Sequence, residues 1–125
     1  MVIKTYELGL VGESNYQRAV REMSFGDRVT LEHEPDNRYD PHAVVARSAD
    51  GNVIGYVERG SWAQRAIAVE GKDAEAYVLD VTGGSAGKRS RGIVLRVAIG
   101  DNATLLREEQ AHLANRKGCL GLLFR

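Results

Sequence analysis

The chain has 125 residues, with 17 basic and 17 acidic side chains, 43% apolar residues, 14 Gly, 2 Pro and one Cys. That length supports one core, which excludes a multidomain motor or large cofactor enzyme, and the apolar fraction excludes intrinsic disorder. Zero net charge excludes coating of long nucleic acid by charge alone, no apolar run reaches the ~18 residues of a membrane span, and Met1-Val2-Ile3-Lys4 lacks a signal peptide's apolar stretch.

Ile3 to Val11 reads as a loosely alternating strand that Gly12 breaks. Ser14 and Gln17 have the spacing of a capping box, ahead of a helix whose Tyr16, Ala19, Val20 and Met23 form one buried stripe. Phe25-Gly26-Asp27 ends it, and Arg28 to Glu34 is a strand with Val29 and Leu31 inward. Glu34 to His42 is an ordered loop, because its Pro, Asp and Asn residues set turn geometry. Ala43–Arg47 and Val53–Val57 pair as a hairpin across Asp50-Gly51. Ser61 and Gln64 repeat the capping box before a helix with Trp62, Ala63, Ala66 and Ile67 that stops at Gly71.

Glu75–Val81 and Ile93–Ile99 are further strands, joined by the Gly- and Ser-rich stretch Gly83–Gly92 as a long loop. Asn102 caps a helix through about Lys117, with Leu106, Gln110 and Leu113 on one side and Gly118 past its end. Leu120–Phe124 is too apolar to be left exposed, so it is expected to pack on the barrel or on a second copy as a homodimer. Six short strands with inserted helices predict a mainly β, partly open barrel over residues 1–100 and a C-terminal helix and tail over 101–125. The lone Cys119 forms no internal disulfide, in keeping with a cytoplasmic protein.

Most chemical motifs fail on context. Gly83-Gly84-Ser85-Ala86-Gly87 matches a nucleophile elbow, but a strand rather than a helix follows it. The same stretch lacks a phosphate loop's first glycine, with Thr82 in its place, and Arg89 stands where a magnesium-binding Ser or Thr belongs. Asp36, Arg38 and Asp40 are spaced like calcium ligands, but the central cation would repel the metal and Arg47 replaces the closing Glu. His33, His42, His112 and Cys119 contain no close zinc-type pair. No cofactor, metal or catalytic group is expected. Lys88, Arg89, Arg91 and Arg96 form an acid-free cluster, either a phosphate-binding edge or a solvated hairpin tip.

The loop Asp36-Asn37-Arg38-Tyr39-Asp40-Pro41-His42 admits two readings. Its Asn and Asp side chains brace their own backbone while Tyr39 plugs the barrel mouth, or the same groups form a site. The order Leu10-Val11-Gly12-Glu13-Ser14-Asn15-Tyr16, then Glu34-Pro35-Asp36-Asn37-Arg38-Tyr39-Asp40-Pro41-His42-Ala43-Val44, then Gly51-Asn52-Val53-Ile54-Gly55-Tyr56-Val57-Glu58-Arg59 resembles the HIRAN domain. That domain is the N-terminal module of fork-remodelling DNA-dependent ATPases and also occurs as small free-standing bacterial proteins. The likeness spans roughly residues 5–99.

The resemblance implies an OB-like barrel that grips the 3′ end of single-stranded DNA without enzymatic activity, in repair or replication, beside a helicase or nuclease. By motif position it gives base stacking to Tyr39, the terminal hydroxyl to Asp40, pocket shape to Asn37 and a phosphate to Arg59, with Tyr56 near the DNA backbone. Tyr16 is either a second stacking face or a core residue, and Arg38, in place of a proline common in the family, adds a cation. The resemblance assigns no role to Lys88, Arg89 and Arg91, which would extend the phosphate track only if their cluster is a phosphate-binding edge and not a solvated hairpin tip. Rival readings are a protein-interaction module working through Leu120–Phe124 and a hydrolase using Ser85.

Overall fold

The computed structural model describes residues 3–85 and 88–123, the side chains of 85, 88, 89 and 113–123 excepted. Six strands, β1 (Tyr6–Val11), β2 (Arg28–His33), β3 (Val44–Ser48), β4 (Val53–Val57), β5 (Ala74–Ser85) and β6 (Lys88–Ile99), form an antiparallel barrel in the order β1-β4-β3-β2-β5-β6. The barrel is closed, not partly open. Closure comes from β1, which pairs with β6 along Tyr6–Gly9 and then crosses to β4 through Leu10 and Val11. Val29, Leu31, Val44, Ile54, Val78, Ile93, Leu95 and Val97 fill the interior, each alternating with outward residues as a period of two requires.

Gly55 permits that crossing. A Cβ there would meet Val11 O at 3.0 Å and the Leu10 Cβ at 3.3 Å, so β1 and β4 approach only over a bare backbone. The β3–β4 hairpin forms as expected, with Gly51 at φ 86° donating to Ser48 O at 2.9 Å.

Three expectations are corrected. Gly83–Gly92 is not a long loop: β5 runs on to Ser85 and β6 begins at Lys88, with Thr82 opposite Gly92 and Gly83 opposite Arg91, and residues 86 and 87 lie outside the described residues. Its glycines serve a bulge between Gly83 and Ser85, where both Gly83 and Gly84 sit at φ 78°. The first helix uses no capping box. A 3-10 turn (Glu13–Tyr16) follows Gly12 and passes into a four-residue helix α1 (Gln17–Val20), with no side-chain cap at either start. Gln17 is drawn to β6 instead, its amide exchanging bonds with Arg91 N–H and C=O, both 2.8 Å. The third correction is α3, which runs Asp101–Leu123 through Gly118 and Gly121, because each helical glycine costs only about 1 kcal/mol relative to alanine.

The second capping box half forms. Ser61 Oγ accepts from Gln64 N at 3.2 Å and starts α2 (Trp62–Gln64), which widens into a π turn (Arg65–Val69). Ala63 and Ile67 join the barrel core, as do Val20 and Met23, while Tyr16 and Ala19 are only half-buried against it. The start of α3 is docked by buried Ala103 and Leu106 and by Arg107, which donates to Asp73 and Glu75. The packing expected of Leu120–Phe124 lies outside the described residues. No helix among the described residues is long and apolar enough to cross a membrane.

Candidate nucleic-acid interface

The loop from Glu34 to Ala43 is a built structure rather than a flexible connection. Its backbone closes through Glu34 N to Ala43 O, Asn37 N to Glu34 O and Ala43 N to Asp40 O, at 2.8, 3.0 and 3.0 Å. Asn37 Oδ1 accepts from both Tyr39 N (2.9 Å) and Asp40 N (3.0 Å), which braces the backbone that carries those two side chains. Its Nδ2 donates to Glu34 Oε1 at 2.7 Å, and Tyr56 Oη donates to the same oxygen at 3.0 Å. His33 Nε2 lies 2.7 Å from Pro41 O; a carbonyl only accepts, so that nitrogen carries the proton.

Asp40 is held from two sides. Oδ1 accepts from His42 N at 2.9 Å and Oδ2 from Gln64 Nε2 at 2.7 Å, with Arg59 Nε 3.8 Å from Oδ2. The carboxylate is 15% exposed and Gln64 is 6% exposed, so α2 supplies a buried amide that orients the acid without hiding it. The His42 backbone N–H above all, then the Gln64 amide and the Arg59 charge, hold the Asp40 carboxyl below its ordinary value against the opposing pull of desolvation. Each carboxylate oxygen keeps a lone pair for a further donor.

These groups line one cleft of about 710 Å³ at the barrel mouth. Tyr16, Asn37, Arg38, Tyr39, Asp40, Tyr56 and Arg59 all border it. Tyr39 is 82% exposed and plugs nothing. Tyr16 and Tyr56 make a tilted pair, ring centroids 6.4 Å apart at 46°, so Tyr16 touches both the core and the cleft. Burial and the bond to Glu34 push the Tyr56 phenol up to about 12, which leaves it a donor throughout the working range. Arg91 is exposed but does not border the cleft, and its Nε lies beside Gly84. The side chains of Lys88, Arg89 and Ser85 lie outside the described residues.

Gln64 and Glu34 are the site residues that sequence reasoning missed. Gln64 was legible only as a capping residue; its second bond, to Asp40, spans 24 positions. Glu34 heads the Glu-Pro motif but had no visible partner, and it organises Asn37 and Tyr56 together. Within the first motif Glu13 is structural, its Oε2 accepting from Ile93 N at 2.9 Å and pinning the 3-10 turn to β6, while Asn15 and Tyr16 border the cleft. Among the described residues no group of three metal-ligating side chains occurs.

A closed OB-like barrel whose mouth gathers tyrosines, a braced carboxylate and exposed arginines defines a small binding module. The HIRAN domain family model matches residues 3–99, and the chain belongs to that family. The crystal structure of the HIRAN domain of human HLTF is similar to it at a TM-score of 0.58 and 19% identity, covering 82% of this chain and 83% of that one. A crystal structure of a Lactobacillus plantarum protein aligns at TM-score 0.50 and 17% identity, covering 76% and 99%. The HLTF HIRAN domain in its DNA-bound conformation aligns at TM-score 0.52 and 17% identity, covering 86% of each chain. No curated protein sequence matches the chain.

Proposed function

We propose that the cleft binds the free 3′ end of single-stranded DNA, with Asp40 as acceptor for the terminal hydroxyl. The observation that carries this reading is the Asp40 carboxylate itself: braced by Gln64 and His42, ionised, and open to the same cleft as an exposed tyrosine and an exposed arginine. A hydroxyl donates to such an oxygen, whereas a 3′ phosphate meets a like charge. Tyr39 offers a ring for base stacking, and the Tyr16–Tyr56 wall offers a second apolar surface. Arg59, 80% exposed and loosely paired, is able to turn toward a phosphate, and Arg38 lies on the same rim. The DNA-bound conformation recorded for the HLTF domain supports the assignment of ligand class.

Two stacked bases contribute roughly 2–6 kcal/mol and a charge-assisted phosphate bond about 1.5–3. The ordering cost of a flexible end leaves affinity on the order of micromolar. The module works by binding rather than by chemistry, in repair or replication where free 3′ ends arise, and a helicase or nuclease is the fitting partner.

The test compares linear oligonucleotides with circular single-stranded DNA of the same composition at two salt concentrations. Linear DNA should bind and circular DNA should not, with a log–log salt slope near −0.7 for each phosphate neutralised. Equal binding of both forms contradicts the reading.

A further inference from the structure

The cleft does not end at Tyr16. Asn15 and Tyr16 also border a second hollow of about 520 Å³, whose other walls include Arg18, Glu22, Asn52 and Val53. Tyr16 is therefore a partition with one half-buried ring serving two spaces. Gln17 lines the hollow too, but its amide is committed to Glu13 O and to the Arg91 backbone. Asn15, Arg18 and Asn52 are exposed, and among the described residues Arg18 makes no ion pair.

We infer that this hollow is a second nucleotide subsite, which takes the base and phosphate lying 5′ of the terminal pair of nucleotides. The inference rests on the reading of the first cleft as a 3′-end site and extends its footprint. A side-chain amide carries both a donor and an acceptor, so Asn15 and Asn52 match the mixed edge of a base. Arg18 supplies the cation for a phosphate. Glu22 repels phosphate from its own wall and keeps the sugar–phosphate chain on the Arg18 side. Val53 adds an apolar contact, and Tyr16 offers the strand a ring to pass over as it leaves the first space.

The experiment titrates the full chain with a thymidine dinucleotide and a pentanucleotide, both ending in a free 3′ hydroxyl. Calorimetry gives affinity, and backbone amide NMR signals of Arg18 and Asn52 give location. The longer strand should bind about tenfold more tightly and should alone shift those signals. Arg18→Glu and Asn52→Ala should each lose most of the gain while keeping dinucleotide affinity within about twofold. Arg21→Glu, an equal charge change at an exposed residue outside the hollow, should keep it. Equal affinity for the two lengths, or an Arg21→Glu effect as large as that of Arg18→Glu, overturns the subsite and leaves the 3′-end reading intact. If neither oligonucleotide binds the natural sequence, both fall.

Discussion

Asp40 owes its character to neighbours from three places: His42 two residues on, Arg59 just past β4, and Gln64 at the end of α2. Because its value in the fold lies below that of a free carboxyl, ~3.9, the ionised state persists through mild acid and is lost only as pH falls past the lowered value. Affinity for an oligothymidylate ending in a 3′ hydroxyl should therefore stay flat from pH 7 to about 5. A steep fall within that window would show that another group carries it. Tyr39 permits a cleaner separation of binding from folding. Tyr39→Ala should lower affinity for every DNA end by roughly fivefold to more than a hundredfold, while denaturant stability stays within about 0.5 kcal/mol. A large loss of stability would mean that the ring supports the loop rather than the ligand.

At the scale of elements, the strands were legible where apolar residues alternate, as in Ile93, Leu95 and Val97, because one face of each strand must be buried. The strand pairing within Gly83–Gly92 was not, because glycine reads as a breaker when its actual use is a bulge at positive φ. Ser61 announced α2 correctly, since a cap and its target are three residues apart. Ser14 announced a cap that does not form, because the competing partner of Gln17 lies 74 positions away on β6. Local signals fail where a distant backbone group offers the better bond. Gly55 shows how an element constrains the site, since its bare backbone lets β1 reach β4 beside the cleft. Gly55→Ala should cost about 1–3 kcal/mol in chemical denaturation, as overpacking does. An unchanged midpoint would show that β1 yields without loss.

Across the whole molecule, the barrel and the start of α3 are linked by one polar knot. Glu75, only 3% exposed, pairs with Arg28 and Arg107 and accepts from Tyr77 Oη, while Arg107 also holds Asp73. Asp73 is lowered first by its bond to Arg107, so it adds stability above the ordinary carboxyl value that is lost as pH falls through the lowered one. Arg107→Ala should cost roughly 1–3 kcal/mol at neutral pH and move the acid unfolding branch to higher pH. No change in either would mean that the Arg107 ion pairs add nothing to the docking of α3, which Ala103 and Leu106 would then carry alone. The candidate site was legible from the order of three short motifs, which no single motif would have shown. Its supporting amide was not, because a buried glutamine in the next helix becomes a partner of Asp40 only after the barrel closes.

In the proposed complex one carboxylate, that of Asp40, reads the chemistry of a strand terminus. Affinities of the natural sequence and Asp40→Asn for two oligothymidylates, identical except for a 3′ hydroxyl or a 3′ phosphate, test it most directly. The natural sequence should favour the hydroxyl by about tenfold to thousandfold, and the amide variant, which keeps the shape but not the charge, should bring the ratio close to one. Equal affinities in the natural sequence, or an undiminished preference in Asp40→Asn, would contradict the account.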